Sequence, residues 1–303
     1  MKVCKVLFGL LMVLVLIIPF STGVSFPVTQ SFSCDHVQDV PVEECNALGA
    51  LFKDTDGDNW DNNDGWGVDS IVANWHGVTV DDNHVTRLSL NWNNLYGHIP
   101  PELNDLEYLE WLYLANNELF GTIPSALGDL EHLITLTLCK NNLSGSIPPE
   151  LGNLTNLRFL RLSGNQLKDE IPSQLGNLVN LISIESQDNQ LSGSLPSSLG
   201  QLEDLESLIL YNNQLEGRLP SELGNLSELS TLLIYNNPLL SGPIPMSFIN
   251  LNKLATFSFG LTALCEPQNE EFLAWRDSVP NWYSSFLDCE DECCWVYLPL
   301  VLR

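Results

Sequence analysis

A pattern of about two dozen residues recurs along most of this chain, and no other sequence feature constrains the fold as strongly. Its clearest copy starts at Leu109 and reads LxxLxLxxNxLxGxIPxxLGxL as far as Leu130. Successive copies start 24 residues apart, with one step of 25, at Val85, Leu109, Leu133, Leu157, Leu181, Leu205, Leu229 and Leu254. Self-similarity at such a period is typical of a solenoid, whose coils pack only on their neighbours.

Each position of the unit has a physical role. The alternation around Leu112 and Leu114 predicts a short strand with one buried face. Asn117 follows where the chain turns away, so its amide can bond backbone groups that the turn leaves unpaired. Gly121 permits a backbone conformation that a side chain would penalise, and the following Ile123-Pro124 favours an extended return segment. Equivalent asparagines are expected to form a ladder at Asn93, Asn117, Asn141, Asn165, Asn189, Asn213 and Asn237.

The unit resembles the plant-type leucine-rich repeat of receptor-kinase ectodomains, polygalacturonase inhibitors and some secreted bacterial proteins. The resemblance covers residues 85–264, or about eight repeats of 24–25 residues. It implies an α/β fold: a right-handed solenoid with a parallel β-sheet on its concave face, 3₁₀ or irregular segments on its convex side, and a helical cap at each end. Three departures predict local irregularity without a break: Asp169 replaces the glycine, Ser186 replaces a strand leucine, and one extra residue lies near Pro238.

The flanks predict a processed, capped array. Residues 1–25 combine Lys2 and Lys5 with an apolar run and small residues, which indicates a secretory signal peptide; the alternative is a retained membrane anchor. Residues 26–84 resemble the N-terminal cap of such repeats, with a helix expected over Val42 to Phe52, although Ala73 and Val80 stand where that family usually has two cysteines. A C-terminal cap is expected over 265–295, with a short helix at Phe272 to Trp275. The apolar tail 296–303 is either a sorting signal or a strand that packs on the cap.

Of the seven cysteines that follow the predicted signal peptide, six lie outside the repeats, as expected when disulfides close the ends of an exported solenoid: Cys34, Cys45, Cys265, Cys289, Cys293 and Cys294. We expect Cys34 to pair with Cys45 and Cys265 with Cys289, although spacing alone leaves other connectivities open. A zinc site at the last three cysteines is the competing interpretation, but these residues lack a second ligand pair.

Composition excludes several partners. Twelve basic residues stand against 38 acidic ones, for a net charge of −26, and such a surface repels nucleic acid and anionic membranes. The run Asp54, Asp56, Asp58 suggests calcium, but an EF-hand loop would need glycine at Asn59 and glutamate at Gly65. An Asx-rich turn is therefore the expectation there, and we expect no metal or other cofactor.

The repeat template also predicts which side chains the concave sheet exposes, because residues that flank the two strand leucines point away from the core. The first column is Arg87, Trp111, Thr135, Phe159, Ser183, Ser207 and Thr231. The second is Ser89, Tyr113, Thr137, Arg161, Glu185, Ile209 and Leu233. The third is Asn91, Ala115, Cys139, Ser163, Gln187, Tyr211 and Tyr235.

Aromatic and arginine side chains dominate binding hot spots, so these columns predict a ligand-binding face. Its expected residues are Trp92, Trp111, Tyr113, Phe159, Arg161 and Glu185 in one cluster, with Tyr211 and Tyr235 as a second patch. Aromatics are also favoured in sheets without any ligand. In the same way, Arg161 and Glu185 are equivalent residues on adjacent strands, so a plain cross-strand ion pair is an equally good interpretation.

Catalysis is not indicated. Cys139 lacks a nearby base, and His76, His84 and His98 have no metal-spaced partner or phosphate-binding loop beside them. The leading hypothesis is a secreted or cell-surface, non-catalytic module that binds a protein, peptide or glycan on its concave face. The alternatives are a structural extracellular protein without a specific ligand, and an inhibitor of a secreted polysaccharide-degrading enzyme; the inhibitor hypothesis rests on the family resemblance alone.

Overall fold

The computed structural model describes residues 32–284 of the 303-residue chain, and they form one continuous solenoid. A ten-stranded sheet lines one side, in which every neighbouring pair is parallel except the first, antiparallel pair. Its strands are Val78–Asp81, His84–Ser89, Trp111–Tyr113, Thr135–Thr137, Phe159–Arg161, Ser183–Glu185, Ser207–Ile209, Thr231–Leu233, Thr256–Ser258 and Asn281–Tyr283. We call this the concave sheet.

A second parallel sheet of eight short strands forms a flank of the solenoid. Its strands are Tyr96–Gly97, Glu118–Gly121, Asn142–Gly145, Gln166–Glu170, Gln190–Gly193, Gln214–Gly217, Leu239–Pro243 and Ala263–Cys265. After all but the last of these strands, one 3₁₀ turn begins the way back to the concave sheet, at Pro101–Asp105, Ser125–Asp129, Pro149–Asn153, Ser173–Asn177, Ser197–Gln201, Ser221–Asn225 and Met246–Asn250. The architecture confirms the predicted leucine-rich-repeat solenoid, and the flank sheet adds an element that the sequence did not predict.

The core is a stack of aliphatic layers between the sheets and the 3₁₀ turns. Strand leucines such as Leu112, Leu136 and Leu160 are 0% exposed and lie in register on adjacent strands. Because each coil buries its leucines only against the coils before and after it, the core is continuous along the array.

The predicted asparagine ladder bonds each coil to the next. Asn165 is typical: its Nδ2 donates to the carbonyls of Leu138 and Leu162 at 2.9 and 3.0 Å, and its Oδ1 accepts from the Leu143 N–H at 3.0 Å. One side chain therefore satisfies backbone groups in two coils that have turned out of the strand and would otherwise lack partners.

The three sequence departures leave the coil register intact. Asp169 keeps the left-handed backbone of the glycine that it replaces, with φ of 66°, as a short polar side chain can. The extra residue is accommodated on the surface, where Leu239 is 54% exposed while Leu240 keeps the core position. Ser186 is 1% exposed in a leucine position, and its Oγ has no hydrogen-bond partner.

A row of small residues lets the 3₁₀ turns stack closely. A Cβ on Gly176 would lie 2.5 Å from the carbonyl oxygen of Ser198 in the next coil, and one on Gly152 would lie 2.5 Å from that of Gln174. The equivalent residue of the last such turn is Ile249, which packs against the core. Glycine occupies this position from Gly128 to Gly224, while the first turn has Asn104 and the last has Ile249. Close stacking therefore depends on glycine in the interior turns, and this dependence ends at the last coil.

The N-terminal cap covers the first coil with a helix, α1 (Val42–Asp54), and a set of tryptophans. The rings of Trp60, Trp66 and Trp75 follow one another at centroid distances of 4.8 and 5.3 Å, and each indole N–H donates to a backbone carbonyl. A disulfide joins Cys34 to Cys45. Two 3₁₀ turns, Gly57–Asn59 and Val72–Asn74, connect these parts, and Asn59 bonds the Asp56 carboxylate in the acidic turn.

At the other end, α2 (Glu270–Arg276) follows the last flank strand. Its own Phe272 is buried, with 0% of its surface exposed. Cys265 is disulfide-bonded, while its expected partner Cys289 lies outside the described residues. The predicted signal peptide (1–25), Cys293, Cys294 and the apolar tail (296–303) also lie outside them. Among residues 32–284, no helix has the length and apolar character needed to span a bilayer.

Candidate ligand-binding face

The concave sheet holds its side chains in straight columns, because each strand residue pairs with the equivalent residue of the next coil, 24 positions later. Arg87 is registered with Trp111, Thr135 and Phe159, and Ser89 is registered with Tyr113 in the next column. In Trp111–Tyr113 the central leucine is buried and its two neighbours are partly exposed. The same pattern recurs in Phe159–Arg161, Ser207–Ile209 and Thr231–Leu233. The strand register therefore confirms the first two predicted columns.

The N-terminal end of this face carries a cation–π cluster. The Arg87 guanidinium carbon lies 4.3 Å from the centroid of the Trp111 ring and 6.0 Å from that of Tyr113. Both rings are half-buried, so each keeps part of its surface open to solvent. The repeat template predicts the column of Arg87 correctly, but it does not predict that the guanidinium stacks on Trp111 of the next coil.

A second cluster lies two strands further along. The Arg161 guanidinium carbon lies 5.2 Å from the Phe159 centroid, and Arg161 Nε donates to Glu185 Oε1 at 3.0 Å. Arg161 and Glu185 are only partly exposed, with side-chain exposures of 37% and 26%. The cross-strand ion pair considered from the sequence is therefore formed, and it orients the guanidinium over the aromatic ring.

The single cluster expected from the sequence is divided in the structure. Thr135–Thr137 lies between the strands of Trp111 and Phe159 and contributes two buried threonines, so the two aromatic groups are about 10 Å apart across two strand spacings. Trp92 is absent from both groups. It has φ of 57°, is 70% exposed, and lies at the turn after the concave strand. The face thus carries two separate groups of aromatic and arginine side chains.

The C-terminal patch consists of Tyr211 and Tyr235. Their rings stack at a centroid distance of 4.4 Å with 7° between the planes. Burial raises the pKa of the Tyr211 hydroxyl, and the nearby Asp188 carboxylate and Tyr235 raise it further. Asp188 also accepts from the Asn212 side chain, which in turn accepts from that of Asn236, so polar groups border the stacked pair.

A free cysteine also belongs to this face. Cys139 has a free thiol in the third column; its pKa is raised, chiefly by burial and despite a hydrogen bond with Ser163. Since the thiolate is the nucleophilic form, a raised pKa lowers the fraction of this thiol that is nucleophilic at neutral pH. Among residues 32–284, no group of three or more His, Cys, Asp or Glu side chains is arranged to hold a metal ion.

Sequence reasoning missed a groove along one edge of the concave sheet. It has a volume of about 650 Å³ and is lined by the residues that immediately precede five of the strands, together with a rim. The five residues are Glu110, Ile134, Arg158, Ile182 and Glu206. Their spacing of 24 in the sequence is the signal that could have identified them, but alternation within a strand does not fix the direction of a residue that precedes it.

Comparison with known proteins agrees with this architecture. A sequence profile described as a leucine-rich repeat region matches residues 83–214 and, in an overlapping match, residues 137–274. No curated protein gives a significant match.

Three solved structures illustrate the structural similarity. The PEPR1–AtPEP1 structure is 33% identical with a TM-score of 0.68, over 73% of this chain and 32% of that one. The ectodomain of the Arabidopsis receptor kinase HAESA, in complex with an extended IDA peptide hormone, is 31% identical with a TM-score of 0.65, over 79% and 42%. The Leptospira interrogans protein LIC12759 is 31% identical with a TM-score of 0.55, over 65% and 47%. The chain therefore spans less than half the length of each of these proteins.

Proposed function

The chain belongs to the leucine-rich repeat family, and from that premise we propose that it is a secreted, non-catalytic recognition module whose concave face binds an extracellular peptide or protein segment. The observation that carries this proposal is the pair of aromatic–arginine subsites on the concave sheet, at Trp111 and Tyr113 and at Phe159 and Arg161. Partly exposed aromatic rings held by arginine are the composition of binding hot spots.

The similar structures support a peptide ligand. One is a receptor kinase ectodomain in complex with a peptide hormone, and another is a plant peptide hormone receptor in complex with its peptide. Rigid presentation supports binding as well, because strand pairing and the asparagine ladder fix the backbone of the face, so little backbone freedom would be lost on association.

Extracellular location is supported by the disulfide between Cys34 and Cys45, since such bonds persist in oxidising compartments. The predicted signal peptide points the same way. A non-catalytic role is supported by the raised pKa of Cys139, which lowers the fraction of this thiol present as the nucleophilic thiolate.

The decisive experiment compares two pairs of aromatic substitutions. Immobilised wild-type protein, a Trp111→Ala/Tyr113→Ala variant and a matched Tyr96→Ala/Phe120→Ala variant are exposed to the native extracellular fluid, and the retained components are quantified by mass spectrometry. Tyr96 and Phe120 form an aromatic pair on the flank sheet, with ring centroids 5.2 Å apart, so they control for loss of aromatic surface in general.

We expect at least one component to be retained by the wild type and by the flank variant, and to be lost about tenfold or more from the concave variant. A loss of tenfold corresponds to about 1.4 kcal/mol, which is modest for a hot-spot aromatic. Equal retention by all three proteins would contradict the proposal and would favour a structural role. Circular dichroism checks that both variants remain folded.

A further inference from the structure

The edge groove has a regular floor. Its five floor residues are held in register by the backbone, since the Ile134 N–H donates to the Glu110 carbonyl and the Arg158 N–H donates to the Ile134 carbonyl, both at 2.8 Å. The ladder continues through Ile182 and Glu206 at 2.9 Å. Neighbouring floor residues therefore follow the strand spacing of about 4.8 Å.

The rim of the groove is also fixed. Asn156 Nδ2 donates to the Glu131 carbonyl at 2.9 Å, and Asn180 Nδ2 donates to the Thr155 carbonyl at 2.7 Å. His132 stacks on Tyr108 with 8° between the ring planes. These contacts join each coil to the one before it, so the groove is a preformed feature.

The order of chemistry along the floor is symmetric: acid, aliphatic, base, aliphatic, acid. Among the described residues, Arg158 has no ion-pair partner, and neither do Glu110 and Glu206. On the rim, Glu228 pairs with Lys253, whereas Asp204 has no ion-pair partner among the described residues. Along the floor itself, the charges without a partner recur at every second strand. Ile134 and Ile182, between them, are half-buried.

This charge spacing matches one peptide conformation. Two strand spacings amount to about 9.6 Å, while a polyproline II helix repeats every three residues over about 9.3 Å. A polyproline II segment that runs across the strands therefore presents residues i, i+3 and i+6 to Glu110, Arg158 and Glu206. An extended β-like peptide rises about 3.3 Å per residue and alternates faces at period two, so it does not keep this register.

We propose that the edge groove binds a proline-rich peptide segment in the polyproline II conformation, with basic residues at i and i+6, an acidic residue at i+3 and prolines between them. The prolines hold the segment in this conformation as it passes over Ile134 and Ile182, and the carboxylate at i+3 pairs with Arg158. Because the floor is symmetric, either chain direction satisfies the charges. This inference rests on the proposed function only in assigning peptide binding to this side of the solenoid, and it uses none of the concave aromatic residues.

The test uses fluorescein-labelled synthetic peptides and fluorescence anisotropy at low ionic strength. The probes are Lys-Pro-Pro-Glu-Pro-Pro-Lys, its lysine-centred counterpart Lys-Pro-Pro-Lys-Pro-Pro-Lys, and the flexible Lys-Gly-Gly-Glu-Gly-Gly-Lys. General attraction to a chain of net charge −26 would favour the lysine-centred peptide, whereas pairing with Arg158 favours the glutamate-centred one. The two explanations therefore predict opposite orders.

We expect the wild type to bind the glutamate-centred proline peptide at least about tenfold more tightly than either other peptide. The lysine-centred peptide would place a like charge opposite Arg158, which weakens its binding. The glycine peptide would lose more conformational freedom on binding, because it is not preorganised. Arg158→Glu should reverse the order of the two proline peptides, and Arg158→Gln should abolish the preference for glutamate. Arg158 is exposed and has no ion pair with a described residue, so both variants should keep the wild-type thermal midpoint.

An equal or tighter affinity of the wild type for the lysine-centred peptide would overturn the proposal, as would an order unchanged by Arg158→Glu or no binding of any peptide at millimolar concentration. The Trp111→Ala/Tyr113→Ala variant should keep the peptide preference. If the wild type shows no peptide preference while the aromatic variant still loses its extracellular component, only the groove assignment is refuted. If the peptide preference is present but the aromatic variant retains every extracellular component, only the assignment of the aromatic face is refuted.

Discussion

Replacing Asn165 with alanine measures how strongly the asparagine ladder holds two coils together. The substitution removes the acceptor of the Leu143 N–H, a donor in a residue that is 0% exposed. It also removes donors to the Leu138 and Leu162 carbonyls, but these oxygens keep one partner each, from Asn141 and Asn189. A third, long bond of 3.4 Å to the Ser163 carbonyl is also lost, but that oxygen keeps the Lys140 N–H and this bond is neglected below. The loss that counts is therefore one buried donor without its partner plus two bonds to carbonyls that remain satisfied.

These terms give the expected magnitude. A buried donor left unsatisfied costs about 1–3 kcal/mol, and each ordinary bond contributes about 0.5–1.5 kcal/mol. Because the two carbonyls are shared, we take the low end of the bond range and expect Asn165→Ala to lower the free energy of unfolding by about 2–4 kcal/mol. Urea unfolding followed by far-ultraviolet circular dichroism measures this quantity.

Asn156→Ala is the matched control. This asparagine is exposed, lies in the coil directly before Asn165, and makes one side-chain bond, to the Glu131 carbonyl. Its removal should change stability by no more than about 0.5 kcal/mol. Equal effects of the two substitutions would refute the reasoning, because buried and exposed amides would then contribute alike. A changed denaturant slope would show instead that the coils no longer unfold together.

Two further predictions concern packing, and the same unfolding experiment measures both. Gly176→Ala should lower the free energy of unfolding by about 1–3 kcal/mol through overpacking against the next coil. Its control, Gly260→Ala, should be nearly neutral, because the new Cβ would have its nearest neighbour at 3.8 Å. Equal effects would show that the 3₁₀ turns can separate freely. Ser186→Leu should raise stability by about 1–3 kcal/mol, because it restores the aliphatic layer and removes a buried hydroxyl without a partner. Ser186→Ala isolates the hydroxyl contribution, and a loss of stability in the leucine variant would mean that neighbouring side chains have closed over the serine.

The period of the sequence was sufficient to predict the coil register, the concave columns and the asparagine ladder. All three depend on interactions that recur with the repeat, so one copy correctly interpreted fixes the others. Asp169 illustrates the strength of this constraint, since the array imposes a left-handed backbone on a residue that is not glycine.

Features that depend on contacts between particular coils were not predicted. The stacking of Arg87 on Trp111 and the separation of Phe159 from Trp111 by a threonine strand depend on side-chain conformation and on distances across the sheet. The flank sheet was missed because its strands are short, rich in Gly, Ser and Gln, and lack apolar alternation over more than a few residues. The edge groove was missed because its floor precedes the strands.

The change from glycine to Ile249 in the last 3₁₀ turn has a consequence for how such a chain can lengthen. An additional unit placed after that turn would meet the branched side chain of Ile249 at the position where the interior turns have glycine. A duplicate of an interior unit would instead carry its own equivalent of Gly176 and could stack on the unit from which it was copied. Lineages of this protein should therefore differ in length by whole internal duplications, with the terminal isoleucine carried along at the end.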